Sequence, residues 1–207
     1  MGVKERKQKE FQKREDKIIK MAILLFRKNH PSLVSMDTLA KKLEIGRGTL
    51  YLHFKSKDDL MAKIVVDFYR TLREKMQAID VNLDPAREIR SAIRTYIEHC
   101  LDDKTLYQVV KKCSESIVVN NLPPETIQEM EFERKERLVF LESIYKNAKK
   151  QNLIEEAPPF VYVGASWGML SGAIDILLDG HFKEEILDAK QYMELVETIF
   201  FRGLFKK

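Results

Sequence analysis

Cysteine is scarce in this chain: Cys100 and Cys113 are the 2 among 207 residues, and they form no C-x-x-C pair and no metal-ligand spacing. A disulfide scaffold and a structural zinc module are therefore excluded, and reduced thiols in a cytoplasmic setting are expected. Proline and glycine number only 6 and 8, too few for a collagen-like, linker-like or low-complexity chain. There is no internal repeat, and no run alternates with period two well enough to predict a sheet. The opening "GVKERKQKEFQKRED" holds no apolar signal region, so a secretory route is not expected. Met1-Gly2 begins like an N-myristoylation motif, but Arg6 stands where that motif wants serine or threonine.

What is present suits a globular chain with a sizeable core: hydrophobic residues make up 44% and charged residues 33%. The net charge of +4 is unevenly spread. Residues 1–63 hold 16 Lys+Arg against 8 Asp+Glu, whereas residues 64–207 hold 20 against 24. A basic front joined to a mildly acidic remainder points to a polyanionic partner at one end only.

Helical periodicity dominates. Ile18, Ile19, Ala22, Leu25 and Phe26 share a face of a first helix near 15–29, which Pro31 ends. Ser35 caps a second helix with Asp37 in its first turn, and Met36, Leu39, Ala40 and Leu43 follow at i, i+3, i+4 and i+7. Residues 47–54 form a short third helix, and Ser56 caps a fourth, "KDDLMAKIVVDFYRTLREKMQAI". Further helices are predicted near 85–102, 104–119, 124–151, 159–179 and 187–204, with Asp84-Pro85 and the Pro123-Pro124 pair as starts. The predicted class is all-α.

The stretch "IGRGTLYLHF" places two glycines beside a short apolar stripe. Two short helices joined by a tight glycine-containing turn outline a helix-turn-helix. Gly46 fits the turn, where a positive φ suits glycine. Leu50 and Phe54 should pack inward with Ile45, which leaves Arg47 with Tyr51, and Thr49 with His53, as outward pairs. Gly48 has no side chain to hold a partner surface away. Arginine can fork onto guanine O6/N7 or phosphate, the threonine methyl can meet a thymine methyl, and tyrosine and histidine can donate to the backbone of a duplex.

Residues 16–64 resemble the DNA-binding domain of the TetR family of bacterial transcriptional repressors. The resemblance rests on "IIKMAILLF", on "SMDTLAKKLEIGRGTLYLHFKSKDDL" and on the spacing between them, with "GTLYLHFKSKDDL" its most specific part. It implies that Ser35 approaches phosphate, that Arg47, Gly48 and Thr49 face base edges or nearby backbone, and that Tyr51, His53 and Lys57 contact phosphates. One departure stands out: His30-Pro31 replace the usual glycine and aromatic, and Leu33 is expected to fill the aromatic's space. In the basic arm "KERKQKEFQKR" the first residues read as a solvated tail, and those near Lys17 as phosphate contacts.

The apolar segment "FVYVGASWGMLSGAIDILL" supports several readings. Gly164-Ala165-Ser166-Trp167-Gly168 spells the G-x-S-x-G of a hydrolase elbow, but that motif needs a sheet, and His181 is the only histidine downstream. The segment nears the length of a membrane span, but Asp175 and many small residues argue against one. Gly164, Gly168 and Gly172 line one face that admits a partner helix closely. The resemblance implies a homodimer built on the last two helices, with Leu195 and Ile199 in the interface, and an effector pocket among the middle helices. Tyr96, Cys100, Tyr107, Met130, Phe132, Phe140 and Trp167 are the candidate lining.

The sequence thus predicts a basic arm with a three-helix helix-turn-helix DNA-binding domain over 1–63, then a helical effector-binding and dimerisation domain over 64–207. The expected protein is a cytoplasmic, homodimeric repressor of a double-stranded DNA operator, released by a small, largely apolar effector. The fourth helix is its natural lever. No cofactor, metal, catalytic residue or membrane partner is expected. The alternatives are a small-molecule sensor that acts through protein partners and, more remotely, a serine hydrolase.

Overall fold

The computed structural model describes residues 2–80, 84–180 and 188–206. Among them are nine α-helices: α1 Val3–Lys28, α2 Met36–Leu43, α3 Arg47–His53, α4 Lys57–Gln77, α5 Pro85–Asp102, α6 Lys104–Ser116, α7 Pro124–Lys150, α8 Pro159–Leu178 and α9 Ala189–Leu204. Short 3-10 turns occupy Pro31–Leu33 and Val119–Asn121, and a single antiparallel bridge joins Ile154 to Phe205 among the described residues. The fold is all-α with an N-terminal helix-turn-helix, as predicted.

Three local expectations are corrected. First, α1 begins at Val3 rather than near residue 15, so the basic arm is helical. The arm lacks the apolar period that marks a helix, yet lysine, glutamate, glutamine and arginine are strong helix formers. It is also laced one turn apart by Arg6 with Glu10 at 3.1 Å and Gln12 with Asp16 at 3.3 Å. Second, the positive φ between α2 and α3 falls on Glu44, at 54°, whereas Gly46 is extended with φ −66° and ψ 147°. The Ile45 N–H reaches back to the Ala40 carbonyl at 3.1 Å, so the left-handed residue belongs to the helix end and not to the glycine. Third, Leu33 is exposed; Pro31 and Val34 are the residues that turn inward after α1. His30 caps the turn by accepting the Ser32 N–H at 3.3 Å.

The chain divides into two compact units: Met1–Phe68 with Thr105–Glu131, and Tyr69–Lys104 with Phe132–Lys207. The predicted boundary at 63/64 falls inside α4, and the units divide α4 and α7 within their lengths. In the first unit, Ile18, Ala22 and Phe26 of α1, Leu39 of α2, Leu50 and Phe54 from α3 and its end, and Leu60 of α4 are buried. Residues 105–131 join this unit because the first turn of α4 is acidic. Asp58 accepts the Val118 N–H at 3.2 Å and the Asn121 side-chain amide at 2.9 Å. Buried Asp59 accepts the Thr126 hydroxyl at 2.7 Å and the Lys55 N–H at 2.8 Å. Acidic side chains are also favoured beside the positive end of a helix dipole.

In the second unit α8 packs against α5 and α9. The buried carboxylate of Glu197 on α9 meets Arg94 at 3.0 Å and Arg90 at 3.6 Å, both on α5, and Arg90 lies 4.0 Å over the Phe201 ring. Glu133 on α7 takes Arg73 at 2.7 Å and Arg70 at 3.3 Å. Burial alone would push its carboxyl up, but hydrogen bonds and charge from these arginines outweigh that and hold it below the ordinary value.

Thr126→Val removes the hydroxyl donor while keeping the shape, and leaves a buried carboxylate oxygen of Asp59 unpaired. A loss of about 1–3 kcal/mol is expected, read as a lower urea midpoint. An unchanged midpoint contradicts the role given to this contact.

Candidate nucleic-acid interface

A seven-residue helix such as α3 cannot hold itself in water and must be held by what it buries. Fully buried Leu50, followed by Phe54, supplies that anchor. With this side inward, Arg47, Gly48, Tyr51 and Leu52 face solvent, and Leu52 is 68% exposed. Gly46, the N-cap of α3, provides no side-chain cap, so the first N–H groups of the helix are open.

The two glycines of the opening motif have no demand from their own chain. A Cβ at Gly48 would meet nothing within 4 Å, and one at Gly46 would meet only the Thr49 hydroxyl at 3.9 Å. Neither has a positive φ. What their smallness preserves is bare backbone at the leading end of an exposed helix, where an outside surface can come close.

Arg47 is exposed and lies 2.7 Å from Asp37 on α2, a close ion pair in which the N–H is not aimed at the carboxylate oxygen. Such an exposed pair contributes only about 0–1 kcal/mol, so phosphate or a guanine edge can displace the carboxylate. The Tyr51 side chain is partly exposed and bonds to nothing among the described residues. Thr49 is half-buried. Ser35 caps α2 by accepting the Thr38 N–H at 3.1 Å, and it remains at the surface. Lys57 donates to the carbonyls of Pro31 and Ser32, both at 3.2 Å, and so ties the exit of α1 to the start of α4 with two of its three N–H groups.

His53 departs from expectation. Its side chain is only 3% exposed, because the extended α1 crosses it: the Phe11 ring sits 4.0 Å away and Glu15 Oε1 lies 3.8 Å from Nδ1. The imidazole is a packing element between α1 and α3, not an outward phosphate donor. Burial, with Arg14 nearby, holds its pKa below the ordinary value. Of the predicted outward pair, His53 is thus turned toward the protein and Thr49 is half-buried, while Leu52, not singled out from the sequence, is turned out.

In the second unit, a narrow apolar cavity of about 40 Å³ lies among α4, α5, α7 and α8. Of the predicted lining, Tyr96 and Trp167 are there; Cys100 is buried elsewhere, and Phe140 is half-buried outside it. Tyr107 and Met130 belong to the first unit, where Tyr107 packs 6.2 Å from Phe68, and Phe132 is exposed. Burial pushes the Cys100 thiol up to about 12, away from the reactive thiolate form. Arg137, Tyr145 and Ser166 line the cavity and were not anticipated.

Ser166 is no hydrolase nucleophile. It lies in the middle of α8 rather than on a strand-to-helix elbow, and its hydroxyl donates to the Tyr162 carbonyl at 2.6 Å while accepting from the Tyr145 hydroxyl. His181 lies outside the described residues. Gly164 and Gly168 are exposed, Gly172 is half-buried, and a Cβ on any of the three would meet nothing within 4 Å. Leu195 and Ile199 on α9 are each more than half exposed.

An exposed, basic-ended α3 set against α2 across a tight turn defines a helix-turn-helix DNA-binding protein. Residues 18–64 match the family model described as bacterial regulatory proteins, tetR family. An HTH-type transcriptional regulator of Bacillus subtilis strain 168, YhgD, is 25% identical over 172 residues, covering 82% of this chain and 85% of that one. A TetR-family protein of Vibrio parahaemolyticus shares the fold with a TM-score of 0.66 at 18% identity, over 93% of this chain and 98% of that one. AibR, crystallised with isovaleryl coenzyme A and operator DNA, shares it with a TM-score of 0.67 at 21% identity, over 93% and 98%. Residues 18–64 thus match the tetR-family helix-turn-helix domain, and the chain as a whole is similar in sequence to an HTH-type transcriptional regulator and in fold to TetR-family proteins.

Phe11→Ala should uncover His53 and raise its pKa toward about 6.5, read by NMR titration of the imidazole. In the wild type the unfolded chain binds the proton more readily, so stability present above about pH 6.5 declines as pH falls through the lower folded value. His53→Gln should flatten that slope in urea midpoints measured above and below it. An imidazole that titrates identically with and without Phe11 contradicts the packing described.

Proposed function

We propose that the protein is a homodimeric repressor of a pseudo-palindromic operator, with one α3 from each copy in successive major grooves. Half-sites then lie about one helical turn apart, or a multiple of it. The single observation that carries this reading is the solvent-facing side of α3, with Arg47, Gly48 and Tyr51 exposed on it and open space over Gly48 among the described residues. Arg47 reads a base edge or clamps phosphate, Thr49 adds a methyl contact, and bare Gly48 lets the helix sit deep. Tyr51, Ser35 and the remaining N–H of Lys57 take phosphates, which sets register rather than sequence.

The dimer rests on α8 and α9. Phe160, Val161, Ile176, Leu195 and Ile199 are exposed large apolar side chains on these two helices, beside the unfilled glycine stripe. Exposed large apolar side chains gathered on two neighbouring helices favour association, and a self-complementary face joins two copies by a two-fold axis. An effector enters the cavity of the second unit and disfavours the DNA-competent state, which requires different affinity for the two states. The AibR complex, with both isovaleryl coenzyme A and operator DNA, supports ligand control on this fold. A regulator of bacterial operators works in the cytoplasm.

The test is selection of bound fragments from the organism's own DNA by the purified chain, followed by band shifts on a selected fragment. Arg47→Ala should weaken binding by about 1–3 kcal/mol and relax preference at one or two base pairs, and Tyr51→Phe should weaken it evenly across sequences. Affinity should fall steeply with salt. Light scattering should return twice the 24.3 kDa of one chain, and Ile199→Glu should return the single mass. Selection of no DNA, or full affinity in both α3 variants, overturns the proposal.

A further inference from the structure

Among the described residues that line it, the cavity of the second unit holds one charge, Arg137. Arg137 on α7 is 7% exposed and lines a space whose other walls include Leu72, Met76, Ile89, Ile144 and Leu170. Its guanidinium has five N–H donors, and the one hydrogen bond it makes among the described residues is a long one, 3.5 Å, to the Glu133 backbone carbonyl. The Glu133 carboxylate is occupied by Arg73 and Arg70. No carboxylate lies within ion-pair distance of Arg137 among the described residues. Aromatic faces partly shelter the cation: it stands 4.3 Å over Tyr69 and 5.6 Å over Trp167. The neighbouring hydroxyls are already used, since Tyr145 donates to Ser166 and Ser166 to the Tyr162 carbonyl.

A buried cation with open donors in an apolar chamber is complementary to an anion with an apolar body. We infer that the ligand of this cavity is a small aliphatic carboxylate, its head forked onto Arg137 and its chain among the apolar walls. A planar carboxylate matches the guanidinium fork with two parallel hydrogen bonds. A phosphate would bring a second charge, for which the described lining has no second cation. The cavity's small volume means that a chain of several carbons seats by displacing a wall, and Trp167, 39% exposed, is the wall that faces outward. Trp167 is also the only tryptophan in the protein and packs 6.0 Å from both Tyr69 and Tyr96, so its emission reports the event. This inference rests on the reading of the cavity as the effector site, and it adds the chemical class of the occupant.

The experiment titrates the full-length protein with hexanoate and with 1-hexanol while following tryptophan emission. The expected result is saturable change with hexanoate at an affinity at least tenfold higher than with the alcohol. Arg137→Met should keep the alcohol's affinity and abolish the difference; Arg137→Lys, which keeps the charge but not the fork, should retain part of it. Equal affinity of acid and alcohol in the wild type, no saturable change with hexanoate, or a preference that survives in Arg137→Met overturns the inference. The wild-type comparison decides alone if the Met variant does not fold. Band shifts with hexanoate on the selected DNA fragment separate the two ideas: a carboxylate preference with no effect on DNA binding sinks the effector role and leaves the ligand class standing.

Discussion

Burial of Leu50 is the constraint on which the helix-turn-helix of this protein depends. A helix of two turns has no independent stability, so its orientation comes entirely from the side it hides. With Leu50 fully buried and Phe54 closing the helix beneath it, the opposite side is outward by geometry, and Arg47, Gly48 and Tyr51 occupy it. The two glycines serve that outward side. Neither supplies a left-handed residue, since Glu44 does so at the end of α2. Their bare backbone keeps the start of α3 open to close approach.

Polar contacts fix what surrounds this small domain. The first turn of α4 is acidic because it faces both its own helix dipole and the stretch from Val118 to Thr126, whose donors Asp58 and Asp59 accept. That is why residues 105–131 fold with the N-terminal helices although 36 residues of the second unit precede them in the chain. On the other flank, α1 reaches back to Val3 and lays Phe11 on His53. Seven lysines and arginines from Lys4 to Lys17 therefore project from a helix anchored on α3, rather than from a solvated tail.

In the second unit the same logic sorts α8 and α9 into an inner and an outer side. Arg90 and Arg94 hold the buried carboxylate of Glu197, which turns Val196 and Phe200 inward and leaves Leu195 and Ile199 outside. The outer side is apolar and the glycines of α8 meet nothing of their own chain. The inner side encloses a chamber in which Arg137 is the one charged wall among the described residues. Both features are costly in an isolated monomer without ligand: exposed apolar area favours association, and a buried cation favours a counter-charge.

The sequence by itself determined the helical class, the helix-turn-helix and most helix ends, because apolar period, Ser35, Asp84 and the prolines act on neighbours a few residues away. It also marked the glycine stripe of α8 and the outward Arg47, since both follow from helical spacing alone. Only the tertiary structure decided matters that depend on contacts distant in sequence. Phe11 and His53 are 42 positions apart, so nothing local announces that one covers the other. Arg137 reads as one more charge on a charged helix until α4, α5 and α8 close around it, and Tyr107 reads as pocket lining until its segment folds with the other unit. Local propensity and periodicity are encoded within a turn or two of helix, whereas burial is a property of what the rest of the chain brings alongside.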